Sequence, residues 1–224
     1  MSDEDIVIAL AGQTVHLLPE RAVYWPAKRM LLVADVHLGK SSVFRHHGIA
    51  VPAGTTADNL VRLDACLARC CVDRLLCLGD LSHARGGHTP RVLAQWAQWR
   101  ARHASMQVEL VLGNHDRHAG VPAALDVVVH PQPLWLPPFW LCHAPEDVAG
   151  DAPGYRLCGH EHPGMVLAAL GDRLRVPCFV IGERVAVLPA FGALTGLHEH
   201  APTVGEVFYA VAGGRLFGPL GATP

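Results

Sequence analysis

The stretch LLVADVHLGKSSVFRHHG, residues 31–48, begins as a buried strand and then sets down an acid, a histidine and a run of bases. Leu31–Ala34 is short, continuous and apolar, the signature of a strand covered on both faces. Asp35 and His37 follow where such a strand leaves its sheet. The same pattern returns along the chain. DRLLCLGD (73–80) ends on Gly79-Asp80, MQVELVLGNHD (106–116) on Gly113-Asn114-His115-Asp116, FWLCH (139–143) on His143, and YRLCGHEH (155–162) on Gly159-His160-Glu161-His162.

The segments between these strands set the fold class. Residues 5–34 read as short strands turned by AGQ and PER. Residues 55–71 carry Leu60, Leu63, Leu67 and Cys70 at helical spacing, with Thr55 or Thr56 as the cap. TPRVLAQWAQWRARH (89–103) is a second helix, with Thr89 as cap, Pro90 at the first helical position and Arg100, Arg102 and His103 near its negative end. Trp96 and Trp99 fall at core spacing with Val92 and Leu93 and are read as packing. Alternation of strand and helix predicts a parallel sheet in the first half, with ligands at the carboxyl ends of its strands. After about residue 125 the strands follow without long helices, with hairpins at Gly171-Asp172, at 182–184 and at Gly213-Gly214, so the second half reads as antiparallel. The Pro-rich stretch 131–138 reads as a surface loop. The whole reads as one α/β domain, 1–224.

Bulk properties exclude several classes. With 224 residues, 50% hydrophobic and 17% charged, the chain can bury a sizeable core. A net charge of −2 is not that of a strongly basic nucleic-acid binder, so any polyanion must be gripped locally. The N-terminus lacks the pattern of a signal peptide, and no stretch holds the roughly 20 apolar residues of a membrane span, so a cytoplasmic protein without membrane contact is expected. The seven cysteines make no Cys-x-x-Cys pair and read as small buried hydrophobes in a reducing compartment.

Histidine is the informative residue, at 15 copies. In Asp35-x-His37 and His160-x-His162 a strand-like period of two would point both side chains to one face. A mixed Asp, Asn and His donor set suits two divalent ions of the manganese, iron or zinc kind, and neither a thiolate zinc finger nor calcium. Two such ions clamp a phosphoryl group and generate hydroxide near neutral pH. Each signal alone is weak, since Gly-Asp is commonly a turn and a strand-end histidine commonly a satisfied polar residue. Five of them in order, each ending a strand, are not.

This series resembles the calcineurin-like metallophosphoesterase superfamily over residues 35–162. The resemblance implies two packed mixed β-sheets flanked by α-helices, with a dimetal site at the carboxyl ends of strands. It implies that one metal takes Asp35, His37 and His162 and the other Asn114, His143 and His160, with Asp80 bridging. His115 is then the non-ligand histidine that contacts the phosphate or protonates the leaving oxygen, and Asp116 orients its ring. His130, which also ends an apolar strand, is the alternative to His143. The pattern ADVHLGKSSVFRHHGIAVPAGTT followed by LGDLSHAR further resembles the bacterial ligase-associated DNA-damage-response metallophosphoesterases. That branch implies manganese-dependent phosphodiesterase activity on DNA. It also implies a functional link to an ATP-dependent DNA ligase, a helicase and an exonuclease-like protein.

Bases outside the metal set lie in three loops: Lys40, Arg45 and His46 with His47; His83 and Arg85 with His88; and Arg117 with His118. Together they could form a local positive groove for a phosphodiester backbone, with GKSSVFRHHG (39–48) as a short helix or lid. No aromatic stacking platform is visible in the sequence. Two other functions compete with a DNA endonuclease: a phosphatase or phosphodiesterase for small nucleotides or phosphoproteins, and a metal-stabilised interaction subunit of a repair complex.

Overall fold

A computed structural model describes residues 5–52, 54–169 and 172–221. The first sheet has seven strands in chain order: β1 (Ile6–Leu10), β2 (Gln13–Leu18), β3 (Ala22–Trp25), β4 (Met30–Val33), β5 (Arg74–Leu78), β6 (Gln107–Val111) and β7 (Val128–His130). β1 to β4 form an antiparallel meander. β4 to β7 run parallel, with Val33 opposite Cys77 and Leu78 opposite Val111. The parallel part needs crossovers, and α2 (Thr55–Arg69) and α3 (Pro90–Arg102) supply them, preceded by the short α1 (Lys40–His46).

The second sheet is built from β8 (Leu134–Leu136), β9 (Phe139–Leu141), β10 (Tyr155–Cys158), β11 (Pro163–Ala169), β12 (Asp172–Ile181), β13 (Val185–Val187), β14 (His198–Glu199), β15 (Val207–Ala212) and β16 (Arg215–Gly221). The expectation of an antiparallel second half is corrected, because β9 and β13 both pair parallel with β10. The 13-residue connection 142–154 returns the chain to the same end of the sheet without a long helix, so helix absence was a poor guide to strand direction. β8 lies inside the Pro-rich stretch read as a loop. The turns at 182–184 and Gly213-Gly214 join antiparallel partners as expected, whereas Gly171 lies outside the described residues.

Side-chain alternation sorts the core into layers. Leu32, Leu76 and Leu78 face the second sheet, where Phe139, Leu141, Leu157 and Phe179 meet them. Their neighbours Leu31, Val33, Leu75 and Cys77 face the helices, packing against Leu60, Leu63, Trp96 and Trp99. Trp96 and Trp99 are fully buried, and their indole N–H groups donate to the Leu125 carbonyl and the Asp64 carboxylate. Thr89 caps α3 by accepting from the Val92 amide at 3.3 Å, as expected. The expected Thr cap of α2 is corrected: Thr55 is its first residue and Gly54, with a φ of 102°, takes the cap position. Thr56 instead accepts from the Gly39 amide at 3.3 Å and ties the helix to the loop after β4. All seven cysteines are free; Cys71 is exposed and Cys70 half-buried, while the other five are buried as read. No described helix is long and apolar enough to cross a membrane.

One buried charge is structural. The fully buried Glu109 of β6 accepts from Arg74 Nε on β5 at 2.6 Å and lies against His130 Nε2 on β7. Burial by itself would raise this carboxyl, but the hydrogen bonds from Arg74 and His130 outweigh it and hold the group below the usual carboxylate range. Its stabilising effect is therefore present above the unfolded glutamate range and is lost as pH falls through the lower folded value. Glu109→Gln is expected to lower stability by about 1.5–3 kcal/mol at pH 7. In urea unfolding series the gap to wild type should narrow below about pH 4.

Candidate active site

The loops that leave β4, β5, β6, β9 and β10 converge on one rim. Their backbones are stitched together: the amides of Asp35 and His37 donate to the carbonyls of Gly79 and Asp80 at 3.1 and 2.9 Å. From behind, Phe191 and Gly192 donate to the carbonyls of Ala34 and Asp35, and the buried Asn59 of α2 donates to the Val36 carbonyl. This scaffold holds an unusual backbone. Of the nine non-glycine residues with left-handed φ among those described, five are Asp35 (54°), His37 (51°), Asp80 (53°), His160 (70°) and His162 (47°). Each such conformation costs on the order of 1–3 kcal/mol and persists only where its surroundings enforce it.

The same observation corrects the reason given for the Asp-x-His and His-x-His spacing. β4 ends at Val33 and β10 at Cys158, so neither pair lies on a strand. Left-handed residues alternating with ordinary ones, not a strand period, form the backbone of each motif.

The predicted ligands are brought together in two overlapping groups. Donor atoms of Asp35, His37 and His162 lie within 4.8 Å of one another, as do those of Asp35, Asp80 and His143. His143 Nε2 also lies 2.9 Å from Asn114 Oδ1 and 3.0 Å from His160 Nδ1, which places the remaining two candidates beside the second group. His130 belongs to neither group; at the end of β7 it is engaged with Glu109.

Among the described residues, three buried atoms of the predicted ligands have no hydrogen-bond partner: Asp35 Oδ1 and both ring nitrogens of His37. Leaving them unmatched would cost several kcal/mol in all, and a divalent cation would satisfy them. Burial and the nearby Lys40 hold His37 far below the usual histidine range, so its ring is in the neutral form a metal takes. Burial also raises Asp80 and so disfavours its charge, with Asp35 adding to the rise and His143 opposing it. Opposite charge placed between these carboxylates removes that penalty. The donor set thus fits two divalent ions.

His115 stands at the lip of this cluster, partly exposed, with Nε2 3.9 Å from Asp80 Oδ2. Its Nδ1–H donates to the His83 carbonyl at 2.8 Å, and the His83 ring stacks on it at 4.8 Å. The expectation that Asp116 orients this ring is corrected. Asp116 accepts instead from the amides of Ser82, Gly113 and Leu81 at 2.9, 3.1 and 3.3 Å, which pins the loop after β5 to the start of α4 (Asn114–Ala119). Burial pushes its carboxyl up to about 6, against the pull of those amides.

The expected substrate bases separate. Lys40 is half-buried, and burial lowers its ammonium against the pull of Asp35 and Asp80. His83 is pushed down to about 4 by burial and by Lys40. Arg45 and His46 are exposed on α1; Arg45 reaches the Pro52 carbonyl and borders a small groove with Arg91 and Gln95, apart from the ligands. Arg85 is exposed, and Arg117 donates to Gln132 at 2.9 Å. The sequence reading missed His198 and His200, which line the cavity over the ligands. A signal existed, because His-Glu-His occurs twice, at 160–162 and at 198–200.

Several rim glycines are sterically required, Gly79 and Gly113 among them. A Cβ on Gly79, whose φ is +81°, would lie 2.1 Å from His143 Nδ1, and one on Gly113 would lie 2.1 Å from Asp80 Oδ1 and 2.5 Å from the Asp80 amide nitrogen. Gly113 has an ordinary φ of −83°, so its replacement tests the close approach alone. Gly113→Ala is expected to weaken metal binding about 10- to 100-fold while the folded state persists. Metal titration alongside circular dichroism checks this; unchanged metal affinity would contradict the geometry.

Comparison with known proteins agrees with this geometry. The calcineurin-like phosphoesterase family pattern matches residues 28–173. Among solved structures, the Pseudomonas putida nuclease MPE is similar at 45% sequence identity and a TM-score of 0.82, covering 95% of this chain and 98% of that one. No curated protein sequence matches the chain. The chain belongs to the calcineurin-like phosphoesterase family and is a metal-dependent phosphoric ester hydrolase.

Proposed function

We propose that the protein is a two-metal phosphodiesterase that acts on DNA as an endonuclease in repair. The observation that carries this reading is the placement of His115 at the edge of two overlapping ligand groups, under a cavity of about 520 Å3 open to solvent. The likeness to a nuclease over nearly the whole of both chains supports it. Manganese is the proposed metal, with iron or zinc as alternatives. An ATP-dependent ligase, a helicase and an exonuclease-like protein are the proposed functional partners, in the cytoplasm.

When bound, the two ions supply Lewis-acid polarisation of the phosphoryl oxygens and a nucleophile from water near neutral pH. Asp35, His37 and His162 would hold one and Asn114, His143 and His160 the other, with Asp80 as the ligand proposed to be shared. The chain's own acid is His115. The His83 carbonyl fixes the proton on Nδ1, so Nε2 is the atom that delivers a proton to the departing oxygen. Lys40, beside Asp35 and Asp80, contributes positive charge to the phosphate side, and Arg85 and Arg117 extend it along the rim, as phosphate contacts that position without reading sequence. Arg45 and His46, apart from the ligands, are proposed to meet the DNA backbone farther along.

His115→Ala is expected to keep its metal and lose about 100-fold or more in kcat on DNA, where the leaving alkoxide needs a proton. The loss should be much smaller on bis-p-nitrophenyl phosphate, whose nitrophenolate departs without one. Equal losses on both substrates would refute the acid role. With added manganese, supercoiled plasmid should be nicked and a panel of mononucleotides left intact; the opposite pattern would make small nucleotides the substrate, and inactivity on both would favour an interaction subunit. DNA binding should also fall steeply and log-linearly with salt, as phosphate contacts require.

A further inference from the structure

The cavity over the ligands is larger than one phosphodiester group requires. Its volume of about 520 Å3 is that of a site for a small organic molecule. Asp80, Asn114 and His115 line it, and so do Pro163, His198 and His200, which form the wall beside His162. That wall is held by the backbone. β14 pairs parallel with the start of β11, and the amides of His198 and His200 donate to the carbonyls of His162 and Gly164 at 3.1 and 3.2 Å.

The two histidines differ in freedom. His200 lies between two carboxylates, with Nε2 3.0 Å from Glu206 and Nδ1 3.6 Å from Glu161. His198 is exposed, and its side chain makes no hydrogen bond among the described residues. Its ring stands 6.3 Å from that of His162, so a planar group joined to a phosphate on the metals would reach it.

Charge decides what that group is. Glu161 and Glu199 also line the cavity, and Arg175 pairs with Glu199 at 2.7 Å. A second phosphate would meet Glu161 and the Arg175–Glu199 ion pair, whereas a neutral base carrying amino or imino donors would find acceptors and an open imidazole face. Resting on the phosphodiesterase reading above, we infer that His198 is the stacking platform for the nucleoside attached to the scissile phosphate. Bases stack on histidine as on other aromatic rings, with little sequence preference.

The test uses methyl p-nitrophenyl phosphate and the 5′- and 3′-(p-nitrophenyl phosphate) esters of thymidine, which share a leaving group and differ in the nucleoside. The full chain with manganese is expected to prefer at least one thymidine ester in kcat/KM. His198→Ala should cut that preference about tenfold, and His198→Phe, which keeps a ring, should retain it. Because the readout is a ratio, general damage to the site cancels. An unchanged preference in His198→Ala, or one lost equally in His198→Phe, overturns the inference. Wild-type protein that cleaves all three equally overturns it while leaving the phosphodiesterase reading intact, and protein inactive on all three overturns both.

Discussion

Two buried carboxylates, Asp35 and Asp80, set the terms for the rest of the molecule. Each offers oxygen to the rim and at the same time holds the backbone of a later loop: Asp35 Oδ2 accepts from the His160 amide and Asp80 Oδ1 from the His115 amide, both at 2.9 Å. Asp35 thereby joins the two sheets, since its chain neighbours belong to the first and His160 follows a strand of the second. Two acids this deeply buried are costly unless cations and donors surround them, and the imidazoles, Lys40 and the amides of the rim are arranged to do so.

The backbone carries the complementary cost. Five candidate ligands sit in left-handed conformations; the loop of Asp35 and His37 is held by hydrogen bonds from Phe191, Gly192 and Asn59, and close contacts at Gly79 and Gly113 lock Asp80 and His143 in place. The two well-packed sheets and their helices supply the rigidity that such loops need. A fold made for the site alone would not require Trp96 or Phe139 to be fully buried, but loops strained in this way require a scaffold that does not yield.

The strand-end motifs were legible because each couples a short apolar run to ligand-type residues, and neither part depends on distant sequence. The parallel order of β4 to β7 was legible for the same local reason, the helices between them. The parallel pairing of β9, β10 and β13 was not, since strand direction without an intervening helix depends on where a loop such as 142–154 returns. The partner of His115 was also illegible. Asp116 is its neighbour in sequence, yet α4 turns that carboxylate to the amides of Leu81, Ser82 and Gly113, and the carbonyl that holds the ring comes from His83, 32 residues earlier.

By itself, then, the sequence determined the donor set, its order along the chain and the family to which it belongs, because those are properties of residue type at the ends of apolar runs. Only the tertiary structure decided which bases reach the candidate ligands and what faces them. Lys40 and His83 lie at the ligands while Arg45 turns away on α1, and a second His-Glu-His, some 38 residues beyond the first, closes the cavity through the pairing of β14 with β11. Pairing in a sheet and packing of a helix are long-range, and they place side chains that no local pattern marks.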